Sequence, residues 1–212
     1  MDKYCYIFDL DGTLINSMPA FCKIVKRILG EKNIAYGDDL IKIVTPLGYA
    51  GTAKYFKSLG LDGSVEEIIE LMQNYIYEDY EKYIPAKEGV VETLKKMKEL
   101  GASLNVLTAC PHRLLDTCLK RLGIFDLFDK VYSCDDFGTT KTNPDIYLQV
   151  SQRLSQKPSD IVFVDDNVNA VKTAKIAGLN SYGIFDESSK EYVEEMKKEG
   201  DKYLWTFREL LD

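Results

Sequence analysis

Positive charge is in short supply: Lys and Arg total 27 against 34 Asp and Glu, a formal net charge of -7. A nucleic-acid binder draws its affinity largely from neutralising phosphates, so this balance excludes nucleic acid as the expected partner. An acidic surface is equally unsuited to anionic lipid. Long apolar runs are also missing, since no stretch reaches the roughly 18 residues that a membrane-spanning helix needs, and no membrane partner is expected. The opening MDKYCYIFDLDG is broken by Asp9 and Asp11, so no signal peptide is expected there. The five cysteines, Cys5, Cys22, Cys110, Cys118 and Cys134, include no C-x-x-C pair, which argues against a disulfide framework or a zinc site. A cytoplasmic protein with reduced thiols is the expectation, with a monomer as the default. Repeats and low-complexity segments are absent.

What is present is ordinary globular composition over 212 residues, 45% hydrophobic and 29% charged, enough for one generous domain or for a core domain with a smaller appendage. Tyr4–Phe8, Leu104–Leu107, Ile161–Val164 and Asn180–Phe185 read as short buried strands, and Lys130–Ser133 as a weaker one. Between them lie helical stripes: Val90, Val91, Leu94, Met97 and Leu100; Leu114, Leu115, Cys118, Leu119 and Leu122; Ile146, Leu148, Val150 and Leu154; and Val168 to Ala177. This alternation predicts an α/β fold with a Rossmann-like parallel sheet and helices on both faces. Residues 15–85 break the pattern. Met18 to Leu29 form an amphipathic helix expected to end at Gly30, and Val65 to Ile76 a longer one opened by the capping box Ser64 and Glu67. An all-helical insertion over 15–85, with a core domain made of 1–14 and 86–212, is therefore expected.

Ligands of open parallel sheets bind beyond the carboxyl ends of the strands. Asp9-Leu-Asp11-Gly12-Thr13 follows the first strand, Thr108-Ala109-Cys110 the second, and Asp165-Asp166-Asn167 a later one, while Lys141 precedes Pro144. Four carboxylates converging on one edge repel one another by a few kcal/mol per pair at an effective dielectric near 20. A divalent cation relieves that conflict, and an open site with oxygen ligands favours Mg²⁺. Metal and lysine together could then admit an anion such as phosphate.

In order and spacing, these residues resemble the four motifs of the haloacid dehalogenase-like superfamily. The branch with phosphoglycolate phosphatase and β-phosphoglucomutase, which carries a helical cap after the first strand, is the most similar. The resemblance covers nearly the whole chain and implies two-step phosphoryl transfer on a small phosphorylated metabolite. Asp9 would be the nucleophile and Asp11 the general acid and base. Mg²⁺ would be held by Asp9, the backbone carbonyl of Asp11 and Asp166, with Asp165 adjacent or acting through water. Thr108 and the Ala109 amide would bind phosphate oxygens, and Lys141 would spread the developing charge. Asn16, Thr140-Lys141-Thr142 and Lys87-Glu88 depart from the family pattern without touching that chemistry. A phosphosugar mutase would use the same motifs, and a non-catalytic binder of phosphorylated metabolites would be expected to have lost one of them.

Blander readings compete for several of these positions. Asp-x-Asp-Gly also opens a calcium-binding EF-hand loop, but that needs Glu at the twelfth position, where Ala20 stands. Asp165-Asp166-Asn167 could simply cap a helix, Thr108 could be an ordinary strand residue and Lys141 a solvated one. His112, the only histidine, either contacts substrate or sits at the surface. Lys54, in the turn-rich stretch Thr45 to Lys54, either meets a second anionic group or is solvated. Cys110 packs near the site, and the charged run Glu194–Glu199 is a solvated helix face.

Overall fold

The computed structural model describes residues 4–212. The chain forms two compact units: Met1–Asn16 with Pro85–Asp212, and Ser17–Ile84.

The first unit holds a six-stranded sheet among the described residues. Its strands are β1 (Cys5–Phe8), β2 (Ser103–Thr108), β3 (Lys130–Ser133), β4 (Ile161–Asp165), β5 (Asn180–Ile184) and β6 (Lys202–Leu204). They pair in parallel throughout, in the order β3-β2-β1-β4-β5-β6. Parallel strands covered on both faces must be apolar continuously rather than alternately. Ile161-Val-Phe-Val164 meets that demand, and every residue of β4 is buried.

The second unit is helical: α1 (Met18–Glu31), α2 (Leu40–Val44), α3 (Gly48–Ser58) and α4 (Val65–Lys82). Ile24, Val25 and Ile28 of α1 and Ile68, Met72 and Ile76 of α4 are buried, and α4 packs against both α1 and α3. The capping box at Ser64 is formed: its hydroxyl accepts from the Glu67 amide at 3.1 Å while Glu67 accepts from the Ser64 amide at 2.7 Å. Gly30 does not end α1. The helix runs on to Glu31, and Asn33 takes the left-handed position, φ 53°, that closes it.

Back in the first unit, α5 (Val90–Glu99), α6 (His112–Arg121), α7 (Pro144–Leu154), α8 (Val168–Ile176) and α9 (Val193–Glu199) surround the sheet. The α7 stripe differs from expectation. Leu148 is 40% exposed, and the buried face is Ile146, Tyr147, Val150 and Ser151. Tyr147 belongs inside because its hydroxyl finds carbonyl acceptors on Lys141 and Ala170 at 3.0 and 3.1 Å, which removes the penalty of burying it. On the opposite flank, the run 194–199 is not wholly solvated. Met196 of α9 is buried and packs on Gly183 of β5, where any Cβ would collide with it.

The strand order carries the functional consequence. From β1 the chain goes to β2 and β3 on one side and to β4, β5 and β6 on the other. The carboxyl ends of β1 and β4 therefore flank the topological switch point, where a crevice opens outside the sheet.

Candidate active site

Asp9 is the first residue past β1, its amide donating to the Val164 carbonyl at 3.0 Å. Asp165 ends β4, and Asp166 follows it. Phe8 and Val164 are in register, so Asp9 and Asp165 stand level on adjacent strands. Carboxylate oxygens of Asp9, Asp165 and Asp166 lie within 4.8 Å of one another, and all three residues are buried.

One lysine answers this charge. The Lys141 ammonium lies 2.6 Å from Asp9 Oδ1 and 2.7 Å from Asp165 Oδ2, with its side chain only 12% exposed. The Asp165 contact is a hydrogen bond. The Asp9 contact is an ion pair whose angles fall outside hydrogen-bond geometry, so Asp9 Oδ1 has charge nearby but no donor aimed at it. Burial works against the ammonium, yet Asp165 and Asp9 outweigh it and hold its pKa well above the ordinary lysine value. Burial pushes the Asp165 carboxyl up to about 7 even with Lys141 pulling it down. For Asp166, burial and then the charges of Asp165 and Asp9 push the pKa well up. Three carboxylates and one ammonium leave a buried excess of negative charge, which protonation or a cation must relieve.

The two acids after β4 are not equivalent. Both oxygens of Asp165 have a donor: Oδ1 accepts from the Asn167 amide at 2.7 Å and Oδ2 from Lys141. Asp166 has the Thr13 hydroxyl on Oδ1 at 3.3 Å, and Thr13 Oγ1 accepts in turn from the Asp166 amide at 3.1 Å. Helix capping, the bland reading of this segment, falls to Asn167 alone, whose side chain accepts from the Asn169 and Ala170 amides. Thr13 is thus a positioning contact that sequence reading placed in the motif without a role.

Asp11 is half-buried in the tight turn after β1, where its backbone bridges to Ile15. Gly12 beside it has φ 82°, and a Cβ there would strike the Asp166 carboxylate. Only glycine lets the turn bring residues 9–13 this close to the β4 acids. Thr108 ends β2, buried, and its Oγ1 accepts from the Cys110 amide at 3.1 Å, leaving the hydroxyl hydrogen able to donate. Ala109 is exposed on the loop that follows, and Cys110 is buried there. Lys54 is exposed in α3 of the helical unit.

His112 opens α6, where Nδ1 lies 3.0 Å from Asp116 and Nε2 2.9 Å from Asp136. Both nitrogens can donate only as imidazolium. Burial opposes the charge, but the hydrogen bonds the ring donates to Asp116 and Asp136 outweigh it and raise the pKa above its ordinary value of about 6.5. The folded pKa is the higher one. The stabilisation is therefore complete below about pH 6.5 and is lost as pH rises through the folded value. With the ring 42% exposed, screening keeps it under about 1 kcal/mol. The melting-temperature gap between wild type and His112→Asn is expected to be open at pH 5.5 and closed at pH 9; an equal gap at both would refute the charged state.

Comparisons with known proteins agree with this arrangement. The haloacid dehalogenase-like hydrolase family matches residues 5–178. The chain is 27% identical to a phosphorylated carbohydrates phosphatase of Thermotoga maritima, over 84% of this chain and 83% of that one. It is 28% identical to a phosphoglycolate phosphatase of Psychrobacter arcticus, over 87% and 84% of the two chains. A Haemophilus somnus structure described as a predicted phosphoglycolate phosphatase superposes with TM-score 0.81 at 21% identity, covering 100% of this chain and 97% of that one. Among the described residues, no helix is long and apolar enough to cross a membrane. With the family match spanning most of the sequence and the buried aspartates lying at the switch point of its sheet, this chain belongs to the haloacid dehalogenase-like hydrolases.

Proposed function

We propose that the chain is a Mg²⁺-dependent phosphatase of small phosphorylated metabolites, working through an aspartyl-phosphate on Asp9. One observation carries this reading: three buried carboxylates at the switch point, compensated by a single ammonium. Such a donor set, all hard oxygen and short of positive charge, fits Mg²⁺. Asp9 and Asp166 would hold it together with the Asp11 carbonyl, and Asp165, each of whose oxygens already accepts a hydrogen bond, would act beside them. When bound, the ion offsets the charge of the acids and of the phosphoryl oxygens.

The protein's own groups supply the rest. The Thr108 hydroxyl and Ala109 amide would hold two phosphoryl oxygens, orienting phosphorus toward Asp9. The Asp9 carboxylate attacks, an O–P bond forms, and the bond to the leaving oxygen breaks as the Asp11 carboxyl hands that oxygen a proton. Asp11 is left as the base. It then takes a proton from a water whose oxygen attacks phosphorus, the Asp9 ester bond breaks, and inorganic phosphate departs. Lys141, 2.6 Å from Asp9 Oδ1, places positive charge beside the attacking carboxylate.

The test is phosphate release from p-nitrophenyl phosphate and a panel of phosphorylated metabolites, with Mg²⁺ and with EDTA. Release is expected with Mg²⁺ and loss of activity with chelator. Mg²⁺ at a hundredfold its Kd should stabilise the fold by about 2.7 kcal/mol. That is a melting rise of roughly 5–10 °C for a chain of this size, and Asp166→Asn should abolish it. Full activity in EDTA, or isomerised sugar phosphate in place of inorganic phosphate, would overturn the reading.

A further inference from the structure

Lys87 follows the return of the chain from the helical unit, which ends at Ile84. Its backbone joins the turn after β1, with the Lys87 amide on the Leu14 carbonyl at 3.0 Å and Ala86 bridged to Ile15. The side chain is 19% exposed, and its ammonium has three acceptors: the Gly12 carbonyl at 2.6 Å, the Phe185 carbonyl at 2.6 Å and Asp186 Oδ2 at 2.9 Å. Three donors meet three acceptors, so the ammonium is fully used. Asp186 is itself fixed, its Oδ1 accepting from the Ser188 amide at 3.0 Å and hydroxyl at 2.6 Å. Beside Lys87, its carboxyl lies below the usual aspartate range although burial works the other way.

The placement matters because of what flanks Gly12. Asp11 precedes it, and Thr13, which grips Asp166 from two sides, follows. A charge-assisted bond to the Gly12 carbonyl pins the Gly12–Thr13 peptide plane, one residue past Asp11. Lys87 stands where the family pattern has another residue type, and sequence reading set it apart from the chemistry. Its ammonium instead reaches the loop that carries the acid.

We infer that Lys87, held by Asp186, is a positioning residue that fixes the Asp11–Thr13 turn so that Asp11 can protonate the leaving oxygen. This rests on the phosphatase reading. A displacement of about 1 Å in such a group can cost on the order of a hundredfold in rate.

Loss of general-acid catalysis has a signature that loss of fold does not. Phenolate, whose conjugate acid has a pKa of about 10, needs the proton far more than nitrophenolate does. For Lys87→Met with Mg²⁺, kcat on phenyl phosphate is expected to fall about a hundredfold, and on p-nitrophenyl phosphate less than about tenfold. KM should stay within about threefold on both. Asp186→Asn should show the same bias to a smaller degree, and it carries the test if Lys87→Met shows no cooperative melting. Equal losses on the two esters, or no loss, overturn the inference alone. A wild-type protein that releases phosphate from neither ester overturns the phosphatase reading and this inference with it.

Discussion

Asp9→Asn should abolish phosphate release while leaving the protein as stable as before or more so. An amide is neither charged nor nucleophilic, and removing the attacking group from a site organised around it costs at least about 10⁴-fold in kcat. The stability side follows from the charge count. Asp9, Asp165 and Asp166 crowd within 4.8 Å around one ammonium. Coulomb repulsion between unit charges 4 Å apart is about 4 kcal/mol at an effective dielectric of 20. Replacing Asp9 removes two such repulsions and one attraction, that to Lys141, which keeps its hydrogen bond to Asp165 at 2.7 Å. One of those repulsions is visible in Asp166, where the charge on Asp9 is among the causes that push the pKa up. A site that trades stability for activity is expected to show this pattern. Calorimetry in EDTA should give a melting temperature equal to or above wild type. Activity within a hundredfold of wild type would remove Asp9 as nucleophile, and a melting temperature several degrees lower would mean that Asp9 is a structural acid.

Most of the sheet was legible because the central strands of a parallel sheet announce themselves. Tyr4–Phe8 and Ile161–Val164 are apolar runs followed by aspartate, and the strands they mark are Cys5–Phe8 and Ile161–Asp165. Strand β6 left no such mark. It has three residues at the sheet edge, only Leu204 of them buried, and its apolar run Tyr203-Leu-Trp205 is short and follows a charged stretch. Leu148 failed for a related reason. Spacing within one helix cannot tell an aliphatic residue facing water from a tyrosine whose hydroxyl happens to meet two buried carbonyls.

The acids of the site were legible because their position at strand ends constrains where they must go. Which of three consecutive polar residues caps a helix was not, since Asp165, Asp166 and Asn167 all favour that position. The division depends on β4 ending at Asp165, which leaves Asn167 at the mouth of α8. Lys87 and Asp186 were beyond reach. They are 99 positions apart, each ordinary in its local pattern, and they meet only because the segment after the helical unit runs beside the β1 turn.

Lys141→Met should be the most destabilising single change in the site, and its cost should depend on pH in a defined direction. The ammonium is nearly buried between Asp9 and Asp165, and removing one partner of such a group leaves uncompensated charge worth about 3–5 kcal/mol. For a chain of this length, that is a melting temperature roughly 6–20 °C lower. A lysine in an exposed pair is the natural contrast. Lys175 beside Asp201, 46% and 38% exposed, should cost under about 1 kcal/mol when replaced by methionine. In the variant, burial and mutual repulsion act on the carboxylates without the ammonium that now opposes them. The folded pKa values of Asp165 and Asp166 must then lie above the unfolded ones, as they already do with Lys141 present, Asp165 at about 7. A carboxyl with a raised folded pKa costs nothing while protonated in both states and destabilises progressively as pH rises past its unfolded value. The deficit should therefore be largest near pH 8, shrink toward pH 5, and be partly offset by saturating Mg²⁺, which supplies the missing positive charge. Activity with Mg²⁺ should fall by about 10²–10³-fold, the cost of removing one stabilising donor from a charged transition state. Melting curves of wild type and variant at pH 5, 6.5 and 8, each with EDTA and with Mg²⁺, decide it. A deficit of less than 2 °C near pH 8, or one that grows as pH falls, would mean that Lys141 does not balance the buried acids.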